Sequence, residues 1–228
     1  MRNSSGFRRL FYIFLFLFLI VLGGVIYLTF QPQDMTDIAG KGKKTSLIDV
    51  SSRIGQAAKS RKSVVITERE VNTWLASILT ARQEGRSAEF LDLSITGVWV
   101  RFSENNGGRA EIVLERLLQG RPHTVSMYFR IEHEKKDNRW TTYIHKDGGL
   151  FLGVVPLGGR FGKARVPQGF LLFVKPAFEE LGKTFQQELN WLQTDITEQG
   201  GGKIRIEENQ LRIDFPAAEQ PPATFPAL

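Results

Sequence analysis

The sequence predicts an α+β fold: an N-terminal transmembrane helix, then a curved antiparallel sheet packed around a long C-terminal helix. Three observations carry this. Residues Leu10 to Phe30, LFYIFLFLFLIVLGGVIYLTF, hold no charged side chain, and about 20 such residues match a hydrocarbon layer of about 30 Å. Between residues 90 and 146 apolar and polar residues alternate, the period of strands with one buried face. After Pro167, residues Val174, Phe178, Leu181, Phe185, Leu189 and Leu192 recur at steps of three and four, an apolar stripe along one helix.

The first element divides the chain into residues 1–9, a span over 10–30, a linker over 31–45, a domain over 46–215 and a disordered tail over 216–228. A cleavable signal peptide has an apolar core of about 7–15 residues and a small-residue cleavage site. QPQDMTDIAG, which follows the span, offers no such site, so the segment reads as a retained anchor. Arg2, Arg8 and Arg9 precede the span, and Asp34 and Asp37 are the first charges after it. The excess of basic residues keeps the N-terminus cytoplasmic and sends the body across, into a periplasmic or extracellular space. Arg8-Arg9-Leu10-Phe11 is a faint twin-arginine pattern, but the segment behind it is too apolar for that export signal.

The domain is read in order. Leu47, Val50, Ile54, Ala57 and Ala58 predict a short amphipathic helix. Val64 to Ile66 are a strand, and Thr67 with Glu70 is a capping box that opens a helix over 68–82, with Val71, Trp74, Leu75, Ile78 and Leu79 on one face. Leu91, Leu93 and Ile95 alternate in one phase and Val98, Val100 and Phe102 in the other, so Gly97 is a bulge. A loop at 105–107 with Gly107 left-handed pairs Phe102 with Ala110, Val100 with Ile112 and Val98 with Leu114, and sets Arg101 against Glu111 on the other face. A second hairpin turns at Asp137-Asn138 and puts Val125, Met127, Phe129 and Ile131 on the face of Ile144, Thr142 and Trp140. In the last helix Pro176 takes the first position after a short turn. KIRIEENQLRI closes the domain as two short strands around Glu208-Asn209.

Composition excludes several functions. The net charge of +6 is uneven: residues 1–62 carry ten Lys/Arg against three acids, and the remaining 166 carry twenty against twenty-one. A near-neutral body lacks the electrostatic footprint of a nucleic-acid binder. Lys41, Lys43 and Lys44 form a basic juxtamembrane stretch suited to anionic headgroups. With no cysteine there is no disulfide, thiol nucleophile or thiolate metal site. His123 and His133 share a strand face about 33 Å apart, His145 points to the other face, and all three read as exposed. No metal or other cofactor is therefore expected. The acid pairs Glu68/Glu70, Glu179/Glu180 and Glu207/Glu208 read as solvated surface, and no G-x-S-x-G elbow is present. The expectation is a protein that is not an enzyme. Asn72, among apolar positions near a helix start, is expected to satisfy a backbone group.

The stretch GGLFLGVVPLGGRFGKARVPQGFLLFV, residues 148–174, holds seven glycines and no acid. It is not a P-loop: Gly162-Lys163 is followed by Ala164, and Leu157 stands where the first glycine belongs. Its apolar run is too short for a second span. Two readings stay open, a buried crossover strand with glycine bends and a mobile apolar lip that opens around a ligand.

Ile66 to Leu75 (ITEREVNTWL) and Gly153 to Leu157 (GVVPL), with the order of elements around them, resemble the YpmS-like membrane-anchored proteins. More distantly the chain resembles bacterial relatives of the tubular lipid-binding, TULIP-like, domains, in which a curved sheet wraps a long helix. The resemblance implies a lipid-handling domain held at a bilayer surface, and brings no catalytic residues with it. The candidate lining for a lipid-like ligand is Phe151, Phe170, Phe173, Phe178, Leu181 and Phe185, each equally suited to plain core. The rival expectation is a structural or assembly factor that docks on an envelope protein and has no cavity.

Overall fold

The computed structural model describes residues 4–39, 49–84, 95–104, 107–118, 120–136, 139–151, 155–173 and 175–216. Helix α1 (Ser4–Phe30) contains one 24-residue stretch, Phe7–Phe30, long and apolar enough to cross a membrane. At 1.5 Å per residue it measures about 36 Å, against a hydrocarbon layer of about 30 Å. Its side chains from Phe7 to Leu28 are exposed on every side.

The linker expected over 31–45 is not free chain where it is described. Gln33, Met35 and Ile38 are buried, and Met35 and Ile38 cluster with Val113 of the sheet. Two apolar side chains in an otherwise polar segment supply the drive, and the Gln33 N–H donates to Thr124 Oγ1 at 2.9 Å. Lys41, Lys43 and Lys44 lie outside the described residues, as does the tail beyond Pro216.

Asp49 caps α2 (Val50–Ser60) by accepting from the Ser52 N–H, and Arg61 ends it in the left-handed region at φ 52°. Strand β1 (Val64–Thr67) runs directly into α3 (Glu68–Glu84) through the predicted capping box. The Glu70 carboxylate accepts from the Thr67 N–H at 2.7 Å, and Thr67 Oγ1 accepts from the Glu70 N–H at 3.3 Å.

The large sheet is antiparallel and has seven strands: β2 (Ile95–Ser103), β3 (Arg109–Leu118), β4 (Arg121–Lys136), β5 (Arg139–Lys146), β6 (Leu150–Phe151), β7 (Val155–Phe161) and β8 (Ala164–Pro167). The β2–β3 register is the predicted one, Phe102 with Ala110, Val100 with Ile112 and Val98 with Leu114, and it shifts at Gly97 as a bulge requires. Gly107 has φ 83°, while Asn105 and Asn106 lie outside the described residues, with Leu91, Leu93, Asp137 and Asn138. Strand β4 is long enough to pair β3 on one side and, end to end, β7 and β5 on the other. A second, three-stranded sheet sets β1 beside β10 (Gln210–Asp214) and β10 beside β9 (Lys203–Glu207).

The long C-terminal helix is divided. A 3-10 helix (Gln168–Phe173) leads to α4 (Lys175–Thr184), which breaks at Phe185 (φ −107°, ψ 18°). A short α5 (Gln186–Asn190) follows, then a π-helix (Trp191–Gln199). The break has a packing reason, because the stripe serves two cores. Leu181 and Phe185 join Leu79, Val98, Leu114, Val125, Met127 and Leu171 between α3, α4 and the large sheet. Ile196, with Trp191 and Leu192 beside it, joins Val50, Ile54, Ile66, Ile204 and Ile213 under α2 and the small sheet. A straight α-helix would keep Leu189 on the same stripe; here it is exposed. Ile144, expected on the covered face, is also exposed.

Helix α3 also closes an open edge. β2 is the outer strand of its sheet, and its spare backbone groups meet two side chains of α3 one turn apart. Asn72 Oδ1 accepts from the Val100 N–H at 2.6 Å and its Nδ2 donates to the Val100 carbonyl at 2.9 Å. Glu68 Oε2 accepts from the Phe102 N–H at 2.8 Å. Four helical residues rise about 6 Å and two strand residues about 6.6 Å, so the pairs stay in step. The other sides of the same two groups hold Ala39: its N–H donates to Glu68 Oε1 at 3.1 Å, and its carbonyl accepts from Asn72 Nδ2 at 3.0 Å. The expectation for Asn72 is met, and the surface reading of Glu68 is corrected, since it is buried. Asn72→Ala is expected to lower the unfolding free energy by about 2–4 kcal/mol by stranding buried backbone groups. Urea denaturation of the full chain in detergent, followed by tryptophan fluorescence, measures this.

Candidate functional site

The residues expected to line an apolar cavity are separated by the fold. Leu181 and Phe185 are buried in the core, and Phe178 is half-buried against it. Phe170 is 52% exposed on the 3-10 helix, next to Leu172 at 72%. Phe151 ends β6 and Phe173 ends the 3-10 helix; their side chains lie outside the described residues. Leu150 and Val155, on the paired strands β6 and β7, are exposed too. Within the glycine-rich stretch Leu157, Ala164, Val166 and Leu171 are core, as a crossover strand requires, while Leu150, Val155, Phe170 and Leu172 are exposed.

Its glycines permit close approach. A Cβ at Gly159 would run into the Ser126 carbonyl of β4, and one at Gly158 would lie 2.7 Å from the Leu171 side chain. Without those glycines β7 could not lie on β4, nor the 3-10 helix on β7.

The turn between β7 and β8 docks on the end of α1. The Lys163 N–H donates to the carbonyls of Leu28 and Gln31, at 3.0 and 3.1 Å, so it caps the last turn of the apolar helix. Gly162 beside it has φ 52°, and its Cα faces the carbonyls of Leu28, Thr29 and Gln31 with no room for a Cβ. His123 Nε2 lies 3.1 Å from the Thr29 carbonyl. That atom must carry the proton, since a carbonyl only accepts.

His123 is buried, not exposed as expected. Burial, and then the neighbouring Arg116, pull its pKa below the ordinary value, while the Thr29 hydrogen bond opposes them. His133 lies 2.6 Å from the Ile204 carbonyl, tying β4 to β9, and His145 is exposed. Among the described residues no group of three or more His, Cys, Asp or Glu could hold a metal ion.

The face of the large sheet turned away from the core carries a polar row that sequence reading met only at its first pair. Arg101 on β2 stands opposite Glu111 on β3, Glu111 opposite Tyr128 on β4, Ser126 opposite Arg160 on β7, and Arg160 opposite Arg165 on β8. Glu111 is buried and is the hub. Its Oε1 accepts from Gln33 Nε2 at 2.8 Å and Ser126 Oγ at 2.6 Å, with Arg160 Nε at 3.3 Å; its Oε2 accepts from Arg101 Nη1 at 3.2 Å. Arg101 also pairs with Asp37 at 2.8 Å and donates to the Asp34 carbonyl. Tyr128 Oη accepts from Arg160 Nε at 2.8 Å. Burial and then the Glu111 charge raise the Tyr128 pKa, so the phenol stays protonated. Over this row lies a cleft of about 660 Å³, lined by Arg101, Arg109, Tyr128, Arg160 and Arg165 among others, with Asp37, Glu68 and Glu208 toward the β2 side. An alternating strand reveals that such a face exists, but only the strand order brings β3, β7 and β8 together. Comparison of the chain with protein families, with curated proteins and with solved structures finds no match.

Two outcomes follow. The His123 pKa is lower in the folded state than in the unfolded one, so the unfolded chain binds the proton more readily. Stability of the docked end is therefore full above about pH 6.5 and falls as the pH drops below it, levelling off beneath the folded pKa. The protection of amides at residues 121–126, corrected for the intrinsic pH dependence of exchange, is expected to fall on the acid side of that window, and His123→Gln is expected to abolish the fall. Glu111→Gln leaves half-buried Arg160 without a carboxylate and Arg101 with Asp37 alone, and is expected to cost about 1–3 kcal/mol, read by urea denaturation.

Proposed function

We propose that the chain is a single-pass anchored protein whose domain stands on the outer, extracytoplasmic side of a cell membrane and binds a lipid-like amphiphile there without catalysing a reaction. The observation that carries this is the seating of the β7–β8 turn on the last carbonyls of α1. A helix of about 36 Å in a layer of about 30 Å ends in the headgroup region. Lys163 and Gly162 sit at that depth, and the exposed apolar tips at Phe170 and Leu172 follow them within a few residues of chain. Exposed apolar side chains on a domain held against a bilayer favour contact with lipid. Arg8 and Arg9 ahead of the span favour a cytoplasmic N-terminus. The YpmS-like and TULIP-like resemblance supports the same reading.

A second reading has its own observation. Leu181 and Phe185 are buried in the core, and the apolar tips are exposed, which is what a docking surface for an envelope protein requires. Native mass spectrometry of the full chain released from lipid nanodiscs separates the two. The expected result is retained lipid, reduced several-fold in a Phe170→Ser, Leu172→Ser double variant. A wild-type chain that carries no lipid above the detergent background would sink the lipid reading and leave the docking one.

A further inference from the structure

The polar cleft on the outer face has cations that the protein's own carboxylates do not use. Four arginines line it, and four acids. Arg101 and Arg160 share Glu111, and Arg101 takes Asp37 as well. Glu68 is occupied by the N–H groups of Ala39 and Phe102, and Glu208 accepts from the Glu104 N–H at 3.0 Å. That leaves Arg109 and Arg165 without a carboxylate among the described residues. Arg109 donates to the Gly148 carbonyl at 2.6 Å and lies over the Tyr128 ring, 5.0 Å from its centroid. Arg165 stands directly opposite Arg160 on the neighbouring strand. Like charges so placed repel, and Glu111 relieves only Arg160.

Between the two arginines lies Tyr128. Its oxygen already accepts from Arg160, and its hydroxyl proton has no acceptor among the described residues. Arg109 on β3 and Arg165 on β8 are three strand spacings apart and offset by four residues of register, about 19 Å between backbones, a span that two extended arginine side chains cover from opposite sides with an ion between them. We propose that this end of the cleft, formed by Arg109, Arg165 and the Tyr128 hydroxyl, is a binding site for an oxyanion of the phosphate class. Donors converging from separate strands suit a tetrahedral oxyanion, whose oxygens point in several directions, better than a planar carboxylate. Asp37, Glu68 and Glu208 stand by β2 and Glu111 is taken up by Arg101 and Arg160, so the β8 end of the cleft is its positive end. The site goes beyond the apolar reading above and does not depend on it, since it lies on the face of the sheet away from Leu181 and Phe185.

The phosphate can be free or part of a lipid headgroup, and one experiment covers both. The full chain is placed in nanodiscs of phosphatidylcholine alone, or of phosphatidylcholine with phosphatidylglycerol. Amide-exchange protection of the start of β3 and of β7–β8 is then read, with inorganic phosphate titrated into the first set against chloride at matched ionic strength. Saturable protection by phosphate in neutral discs supports the site and identifies a soluble anion as its ligand. Protection that appears only with phosphatidylglycerol supports the same site and identifies the headgroup. In either case Arg165→Gln is expected to weaken the effect about tenfold or more, the loss of one charge-assisted hydrogen bond, and Arg109→Gln is expected to do the same. Arg165 is exposed, so its variant tests the site even where Arg109→Gln disturbs packing on Tyr128. Protection equal to that from chloride, or unchanged in Arg165→Gln, overturns the proposal. Loss of co-purifying lipid in the Phe170/Leu172 variant bears only on the apolar reading.

Discussion

An open sheet edge is the constraint around which the rest of the domain is arranged. β2 has a partner on one side only, and its other row of N–H and C=O groups would either pair with another chain or stay unsatisfied under α3. Glu68 and Asn72 answer both problems with two side chains at helical spacing. Because each also holds Ala39, the segment leaving the apolar helix is drawn onto the same edge. The position of α3 over the core, the path of residues 31–39 and the closure of the sheet are thus one arrangement. The small sheet locks it, with the Glu68 N–H donating to the Asn209 carbonyl at 2.8 Å.

Much of this was legible in the sequence where the signal is local. The capping box at Thr67 and Glu70, the bulge at Gly97 and the β2–β3 register depend on neighbours close in the chain, and alternation alone selects among registers. Asn72 could be marked as a backbone partner because a polar residue among apolar ones must be satisfied. What could not be read depends on contacts between distant segments. Phe185 looks like one more position on a stripe until the helix is seen to serve two cores. Glu68 looks like surface because nothing in TERE shows that a strand edge some thirty residues on will need its oxygens. His123 looks like an exposed strand residue until the end of α1, ninety-four residues earlier, is found lying against it.

The two faces of the large sheet illustrate the same division between pattern and placement. The inner face is mainly apolar along β2, β3 and β4, and alternation predicts it without any knowledge of strand order. The outer face is a set of separate polar residues until β7 and β8 are laid beside β4. Only then do Arg101, Glu111, Tyr128, Arg160 and Arg165 form one row. A buried carboxylate ringed by donors is costly to assemble, and here it fixes Gln33 and β7 to one point. The charge that remains after those pairings, at Arg109 and Arg165, is the part of this face that no carboxylate among the described residues takes up.

The seating of Gly162 and Lys163 on the last turn of α1 changes how the domain explores its surroundings. A free tether over residues 31–45 would let the domain wander over about 20 Å and turn in any direction. Capped by the turn, the helix end and the sheet move as one body, so tilting or rotating the helix tilts or rotates the cleft and the apolar tips with it. In the proposed anchored state the domain's search is confined to a plane, at one height and in one orientation. Encounters with anything else held in that plane then depend on lateral diffusion and rotation about the membrane normal, and no longer on the swing of a linker.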